Sequence, residues 1–146
     1  MAARPDIRRR PARRGAESLL SGAGLPSVDL TDDHLDHFFF CGAPDAPTGL
    51  VGLELYGDAA LLRSLAVAPG ARSAGLGSAL VTHAEAHARS QSVRGRYLLT
   101  TTAESFFAQR GYARVDRGRA PPAIRATREF GELCPSHSAF MFKSLE

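Results

Sequence analysis

The 146-residue sequence is short of three things, and each shortage narrows what the chain is. Its two cysteines, Cys41 and Cys134, are too few for a disulfide framework and lack the spacing of a metal site, so neither bridges nor a bound metal are expected. No apolar run approaches the roughly 20 residues that a membrane helix needs, and no signal-peptide hydrophobic segment follows the basic start. A cytoplasmic protein without membrane attachment is the expectation. Lysine is nearly missing: Lys143 stands alone among 18 basic residues, a bias of composition rather than mechanism.

Charge is unevenly placed. Residues 1–14 carry Arg4, Arg8, Arg9, Arg10, Arg13 and Arg14 against Asp6, which leaves the remainder slightly acidic. Such a body offers no dedicated nucleic-acid face. The arginine-rich start reads as a solvated edge strand leading into the first helix, with an RNA-contacting arm or a transit peptide as the alternatives. The length suits one domain, 1–146, large enough to bury about two thirds of its unfolded surface.

What the chain does have is concentrated in residues 61–89, LLRSLAVAPGARSAGLGSALVTHAEAHAR. An apolar run ends at Pro69, a glycine-bearing turn follows, and an alanine-rich amphipathic stretch begins at Leu76. Strand, loop and helix in this order leave backbone N–H groups unpaired at the positive end of the helix dipole, a place to hold phosphate. Gly70 and Gly75 have the separation of an ATP-binding loop, but Leu76 and Gly77 stand where Lys and Ser or Thr are needed. A dinucleotide fingerprint also fails, because Leu80 replaces the third glycine of Gly75-x-Gly77.

The remaining elements follow from periodicity and punctuation. A helix is expected over 12–21 around Ala16, Leu19 and Leu20, and a short one after Thr31 as N-cap. Three antiparallel strands are expected at 37–41, 49–56 and 59–68, with dense turn chemistry at 42–48 and a Gly57-Asp58 hairpin that puts Glu54, Leu61 and Arg63 on one face. The helix at 76–90 buries Leu80, Val81, Ala84 and Ala88. Its His83 and His87 have metal-clamp spacing but no third ligand in the sequence, and His34 and His37 match no metal motif, so structural roles are expected for all four. A strand at 96–102 lies parallel to 59–68 across a right-handed crossover. A helix at 103–109 closes at Gly111, a proline-led helix spans 123–133, and a last strand takes 139–145.

Two segments together carry a resemblance. RSAGLGS at 72–78, directly after the strand, resembles the pyrophosphate loop of the GNAT superfamily of acetyl-CoA-dependent N-acetyltransferases. TTTAESFFAQRGY at 100–112 resembles its second signature, a helix with two adjacent aromatics before a glycine and an aromatic. The element order matches that family over nearly the full length. More finely, LLRSLAV, LLTTTAESFF, AIRATREF and CPSHSAFM are similar to its arsenic-resistance branch.

The resemblance implies an α+β fold: a mostly antiparallel sheet of about seven strands, a parallel splayed pair at the cofactor, and helices on both faces. It implies acetyl-CoA as co-substrate, no metal, and a small-molecule amine as acceptor; a homodimer is compatible with it. The backbone of Leu65, Ala66 and Val67 would pair with pantetheine, and Arg72, Ser73, Ala74, Gly75, Leu76, Gly77 and Ser78 would take the pyrophosphate, with Thr100 beside the cofactor. Many members protonate the coenzyme A thiolate with a tyrosine where this chain has Phe107. Thr100, Ser105 and Ser138 are the alternative donors, or water suffices, since the thiolate is a good leaving group. Glu54 is the candidate base, its pKa raised if buried, or else the partner of Arg63 in a structural ion pair. Arg117, Arg119, Arg125 and Arg128 suit capture of a carboxylate on an acidic, amino-acid-like acceptor. A peptide or protein N-acetyltransferase and a non-catalytic acetyl-CoA sensor are the rival readings.

Overall fold

The computed structural model describes residues 6–128, 130–131 and 138–144, with Arg72, Ser73 and Ala74 described by their backbone alone. Seven strands form one sheet: β1 (Arg8–Arg9), β2 (Phe38–Ala43), β3 (Ala46–Tyr56), β4 (Ala59–Val67), β5 (Gly95–Thr100), β6 (Ala113–Arg114) and β7 (Ala139–Ser144). Their spatial order is β1-β2-β3-β4-β5-β7-β6. Every neighbouring pair is antiparallel except β4 and β5, which run parallel because a 15-residue helix carries the chain across between them. The helices are α1 (Arg13–Gly22), α2 (Asp32–Leu35), α3 (Leu76–Ser90), α4 (Glu104–Ala108) and α5 (Pro122–Arg125).

Alternation along the strands divides the core. Phe39, Val51, Leu53, Leu62, Leu98 and Met141 pack against Leu80, Val81, Ala84 and Ala88 of α3 and against Phe107 of α4. On the other face Phe38, Phe40 and Leu50 meet Ala16, Leu20 and Leu35 of α1 and α2, while Leu61 and Phe140 meet Ile124 of α5. Each fully buried leucine contributes about 2 kcal/mol. Helices therefore cover both faces, as expected.

Local rules account for most element ends. Thr31 caps α2: its Oγ1 accepts the His34 N–H at 3.3 Å while its own N–H donates to His34 Nδ1 at 3.0 Å. Gly111, at φ +94°, ends the α4 segment as a C-cap glycine should. Tyr56 faces Ala59 and Glu54 faces Leu61, the register that the two-residue turn at Gly57-Asp58 dictates.

Three expectations need correction. Residues 42–48 are not a loop: β2 and β3 continue through Ala43↔Ala46, leaving only Pro44 and Asp45 to turn, because ladder hydrogen bonds outweigh local turn preference. The helix expected over 123–133 is interrupted: α5 covers Pro122–Arg125, then Thr127 Oγ1 donates to the Ile124 carbonyl at 2.7 Å and accepts the Phe130 N–H at 3.2 Å, and helical backbone resumes at Arg128 and at residues 130–131. The strand expected at 96–102 stops at Thr100, whose Oγ1 accepts the Ala103 N–H at 3.0 Å and starts the turn into α4. Cys134 and part of the expected 123–133 helix lie outside the described residues.

One buried group had no sequence signal. Arg96 is fully buried at the start of β5, with Nη1 3.2 Å from a Glu85 carboxylate oxygen on α3. Lys143 of β7 donates to the same carboxylate at 3.1 Å, and the Tyr112 hydroxyl, its pKa pushed up to about 12 by burial, donates to it at 3.3 Å. Glu85 thus ties α3 to both strands beneath it.

Candidate functional site

The site begins where the parallel pair fails. β4 and β5 are in register through Ala59↔Gly95, Ala60↔Arg96 and Leu61↔Tyr97, and there the ladder ends. Beyond it β5 stays with β7 as far as Thr100↔Ala139, while β4 stays with β3. β4 is also bulged: Gly52 faces Arg63 and Leu50 faces Ala66, so two steps on β3 span three on β4. Ser64 absorbs the extra residue at φ +61°, a left-handed conformation that non-glycine residues rarely take. The bulge turns β4 away from β5 and opens the sheet.

A cavity of about 680 Å³ fills the opening. Arg63, Ser64 and Leu65 form one wall, and Leu99 and Thr100 the other; Phe107 and Ser138 also line it. Leu25, Pro26 and Val28, from the connection between α1 and α2, form an apolar lip on which Val28 is 74% exposed. A second pocket of about 490 Å³ shares Leu65, Val67, Thr102 and Ala103 with the first and leads to Gly75, Gly77 and Ser78. The two make a channel from the start of α3 to the middle of the sheet.

At the outer end Pro69–Ala74 forms a tight 3-10 turn and Gly75, at φ +72°, takes the left-handed position that precedes α3. Gly75 has no side chain with which to cap that helix, so among the described residues the N–H groups of its first turn keep their hydrogen-bonding capacity for a ligand. A Cβ on Gly77 would come within 3.4 Å of the Phe106 ring, so its bareness keeps the wall of the channel open. Leu76 is buried and offers backbone only. Ser78 Oγ accepts from Arg110 Nε at 2.9 Å, and the Arg110 guanidinium lies 3.6 Å over the Phe106 ring.

At the inner end lies a buried charged cluster. Arg63 Nη1 donates to Asp29 at 2.5 Å and to Glu54 at 2.8 Å, Nη2 donates to Asp29 at 2.9 Å, and Nε donates to Ser64 Oγ at 2.9 Å. The Tyr56 hydroxyl donates to the other Glu54 oxygen, and His34 Nε2 stands 3.8 Å from Glu54. Burial pushes the Asp29 carboxyl up, but the hydrogen bonds and charge of Arg63, with His34, outweigh it and hold it below the ordinary carboxylate range. Burial and the Glu54 carboxylate push the Tyr56 hydroxyl well up. The ligand atoms of Asp29, His34 and Glu54 lie within 4.8 Å of one another, as a cation would require, but the Arg63 guanidinium is already bonded to both carboxylates and supplies that positive charge.

The acetyltransferase (GNAT) family model matches residues 8–116, about three quarters of the chain and all of the channel except the Ser138 wall. The chain belongs to the acetyltransferase (GNAT) family. Among solved structures, N-acetylglutamate synthase from Neisseria gonorrhoeae complexed with coenzyme A and N-acetyl-glutamate superposes with a TM-score of 0.83 at 21% identity, covering 100% of this chain and 36% of that one. The same enzyme complexed with coenzyme A and L-arginine gives 0.82 at 20% identity, covering 99% and 34%. Rv2747 from Mycobacterium tuberculosis, in complex with CoA and NLQ, gives 0.79 at 20% identity, covering 97% and 100%. The chain thus spans about a third of the Neisseria protein. At these identities the likeness is one of fold. No curated protein sequence matches the chain significantly.

Set in this family's fold, the candidates named from sequence separate. Glu54 and Arg63 come together, but as members of a network with Asp29 and Tyr56 that the sequence did not reveal. Leu65, Ala66, Val67 and Thr100 line the inner cavity, and Gly75, Gly77 and Ser78 the outer pocket. Ser105 does not reach either: it faces solvent on α4, while Phe107, one helical side round, points inward and packs against Phe106 and Tyr112. None of the four arginines at 117–128 lines the cavity. Arg117 is half-buried and donates to the Ser138 carbonyl at 3.1 Å; Arg119, Arg125 and Arg128 are exposed, and Arg125 braces the Gly118 carbonyl at 2.9 Å. His83 and His87 sit edge-on to Phe39 at 4.8 and 4.9 Å, a packing role. Asp29 had no motif to mark it: it stands three residues before Asp32-Asp33, and only the fold brings it to Arg63.

Proposed function

We propose that the chain moves the acetyl group of acetyl-CoA to the amine of a small, acidic, amino-acid-like acceptor. The observation that carries this reading is the parting of β4 from β5 after Leu61↔Tyr97, which opens an inner cavity joined by one channel to the start of α3 at Gly75. In this reading the amides of residues 72–78 take the pyrophosphate, and the β5-facing edge of Leu65 and Ala66 pairs with pantetheine as a missing strand would. The thioester then lies beside the Ser64 bulge. The amine arrives from the face that carries Glu54, which takes its proton directly or through water, while the Arg63 and Asp29 partners hold that carboxylate in place.

The acidic acceptor is supported by a fold neighbour complexed with coenzyme A and N-acetyl-glutamate. The resemblance to the arsenic-resistance branch adds arsenical and phosphinate amino acids to the same acceptor class. The acting unit is proposed to be residues 1–146 as one cytoplasmic domain without nucleic-acid or membrane partners; no helix among the described residues is long and apolar enough to cross a membrane. A second reading, an acetyl-CoA sensor without turnover, is favoured by one observation: Phe107 fills the place of a proton donor with a ring that has none.

Thiol release from acetyl-CoA, measured over acidic amino acids, their arsenical and phosphinate analogues, polyamines and peptides, separates these readings. Acidic amino acids are expected to turn over fastest. Faster turnover of polyamines or peptides contradicts the acceptor. Stabilisation by acetyl-CoA with no thiol released from any mixture favours the sensor.

A further inference from the structure

Ser138 is the unexplained group in the inner cavity. It is 3% exposed, it lines the same cavity as Arg63 and Ser64, and its hydroxyl has no hydrogen-bond partner among the described residues. Buried hydroxyls are normally paired, so an orphan on a cavity wall points to a partner that arrives with the ligand. The other buried or half-buried polar side chains there each have a partner, the Ser64 and Thr100 hydroxyls as acceptors, so Ser138 is the hydroxyl with none. Arg63 is held by Asp29 and Glu54, Ser64 Oγ accepts from Arg63 Nε, and Thr100 Oγ1 accepts the Ala103 N–H. Thr101 and Thr102 are exposed, and Phe107 has no proton to give. Ser138 stands two residues before Phe140, which clusters with Leu61 on the sheet face that also carries Glu54 and Arg63. Its backbone is anchored by Arg117 on one side, and the β7 ladder starts at the next residue. The hydroxyl is thus held between the face the amine approaches and the gap between β4 and β5.

Building on the acetyl-transfer reading, we propose that the Ser138 hydroxyl relays the proton of the transfer step. Glu54 takes the first ammonium proton and frees the amine; as the nitrogen then bonds to the thioester carbonyl carbon and the carbon–sulfur bond breaks, its second surplus proton passes to Ser138 Oγ and the hydroxyl's own proton passes to the departing sulfur. The products are the amide and the free thiol, the serine is restored, and no other reactant is consumed. A hydroxyl suits this place because it donates and accepts together and never carries charge in a buried site. It does for this chain what a tyrosine at position 107 would do.

The test compares Ser138→Ala and Ser138→Thr with the unaltered chain. With acetyl-CoA, Ser138→Ala is expected to lower kcat about 100-fold while KM for acetyl-CoA stays within about twofold, and Ser138→Thr to recover most of the loss. With the acetyl thioester of a nitrothiophenol, whose thiolate leaves without a proton, the defect of Ser138→Ala is expected to shrink to a few-fold. Equal losses with both donors, or kcat within about twofold of the unaltered chain, overturn the relay. A readout that needs no variant is the rate of the unaltered chain in mixtures of light and heavy water. Two protons in flight give a bowed dependence on deuterium fraction, and a straight line overturns the proposal. Absence of turnover in the unaltered chain removes the acetyl-transfer reading and the relay with it; turnover from acetyl-CoA left undiminished by Ser138→Ala removes the relay alone.

Discussion

The decisive residues are those whose neighbours leave them one role. Arg63 has a side chain with no exposure and two carboxylates on it, so removing either acid strands charge in the core. Asp29→Ala is expected to cost about 3 kcal/mol in urea unfolding, because it removes the carboxylate that takes two of the Arg63 hydrogen bonds. The sign with pH follows from the lowered pKa of Asp29: the unfolded carboxyl takes up its proton first, so this stabilisation is complete above about pH 4 and is lost as pH falls through the lower folded value. Acid titration of the melting temperature should therefore be steeper for the unaltered chain than for Asp29→Ala. Glu54→Gln keeps the shape and removes the basic oxygen. It is expected to reduce turnover at pH 7 by about 100-fold with acetyl-CoA affinity unchanged, and unchanged turnover takes Glu54 out of the proposed chemistry.

At the scale of elements, geometry rather than charge limits substitution. Gly52 has the Phe38 ring 2.3 Å from where a Cβ would stand, so Gly52→Ala must displace β2 against β3 and is expected to lower stability by about 2 kcal/mol. The contact between β2 and α3 carries a pH dependence of its own. Burial lowers the pKa of His37, His83 and His87, with Arg9 adding repulsion at the first and last and the histidines repelling one another. The unfolded imidazoles protonate first, near pH 6.5, so stability should decline from there downward through the depressed folded values. His87→Leu should flatten the melting curve between pH 7 and 5, a window above that of Asp29. Element types and order were legible because α3, β3 and β4 each repeat one periodicity over nine residues or more. The short pieces were not. α5 ends on a single side-chain hydrogen bond from Thr127, and the extension of β2 and β3 through 42–48 depends on pairing between chain segments, which no local window contains.

Across the whole molecule, the outer half of the channel was readable as one stretch, whereas in the inner half Glu54, Arg63, Phe107 and Ser138 were named singly and Asp29 and their arrangement were not. The turn proposed to take the pyrophosphate is local: Gly75, Gly77 and the start of α3 are neighbours in sequence, and their spacing departs from the ATP-binding loop and the dinucleotide fingerprint before any fold is known. The inner cavity draws on Asp29, Glu54, Arg63, Phe107 and Ser138, brought together by a bulge at Ser64 and a splay between strands 30 residues apart or more in the chain. Neither feature has a sequence signature, and the bulged residue is not even a glycine. The account's central claim is that this gap is the acetyl-CoA site. Its most direct test is a crystal structure of the chain grown with CoA. The account predicts pantetheine density between β4 and β5 along Leu65 and Ala66, with the pyrophosphate on the amides that precede and begin α3. CoA bound elsewhere, or a gap closed by protein in its presence, would contradict it.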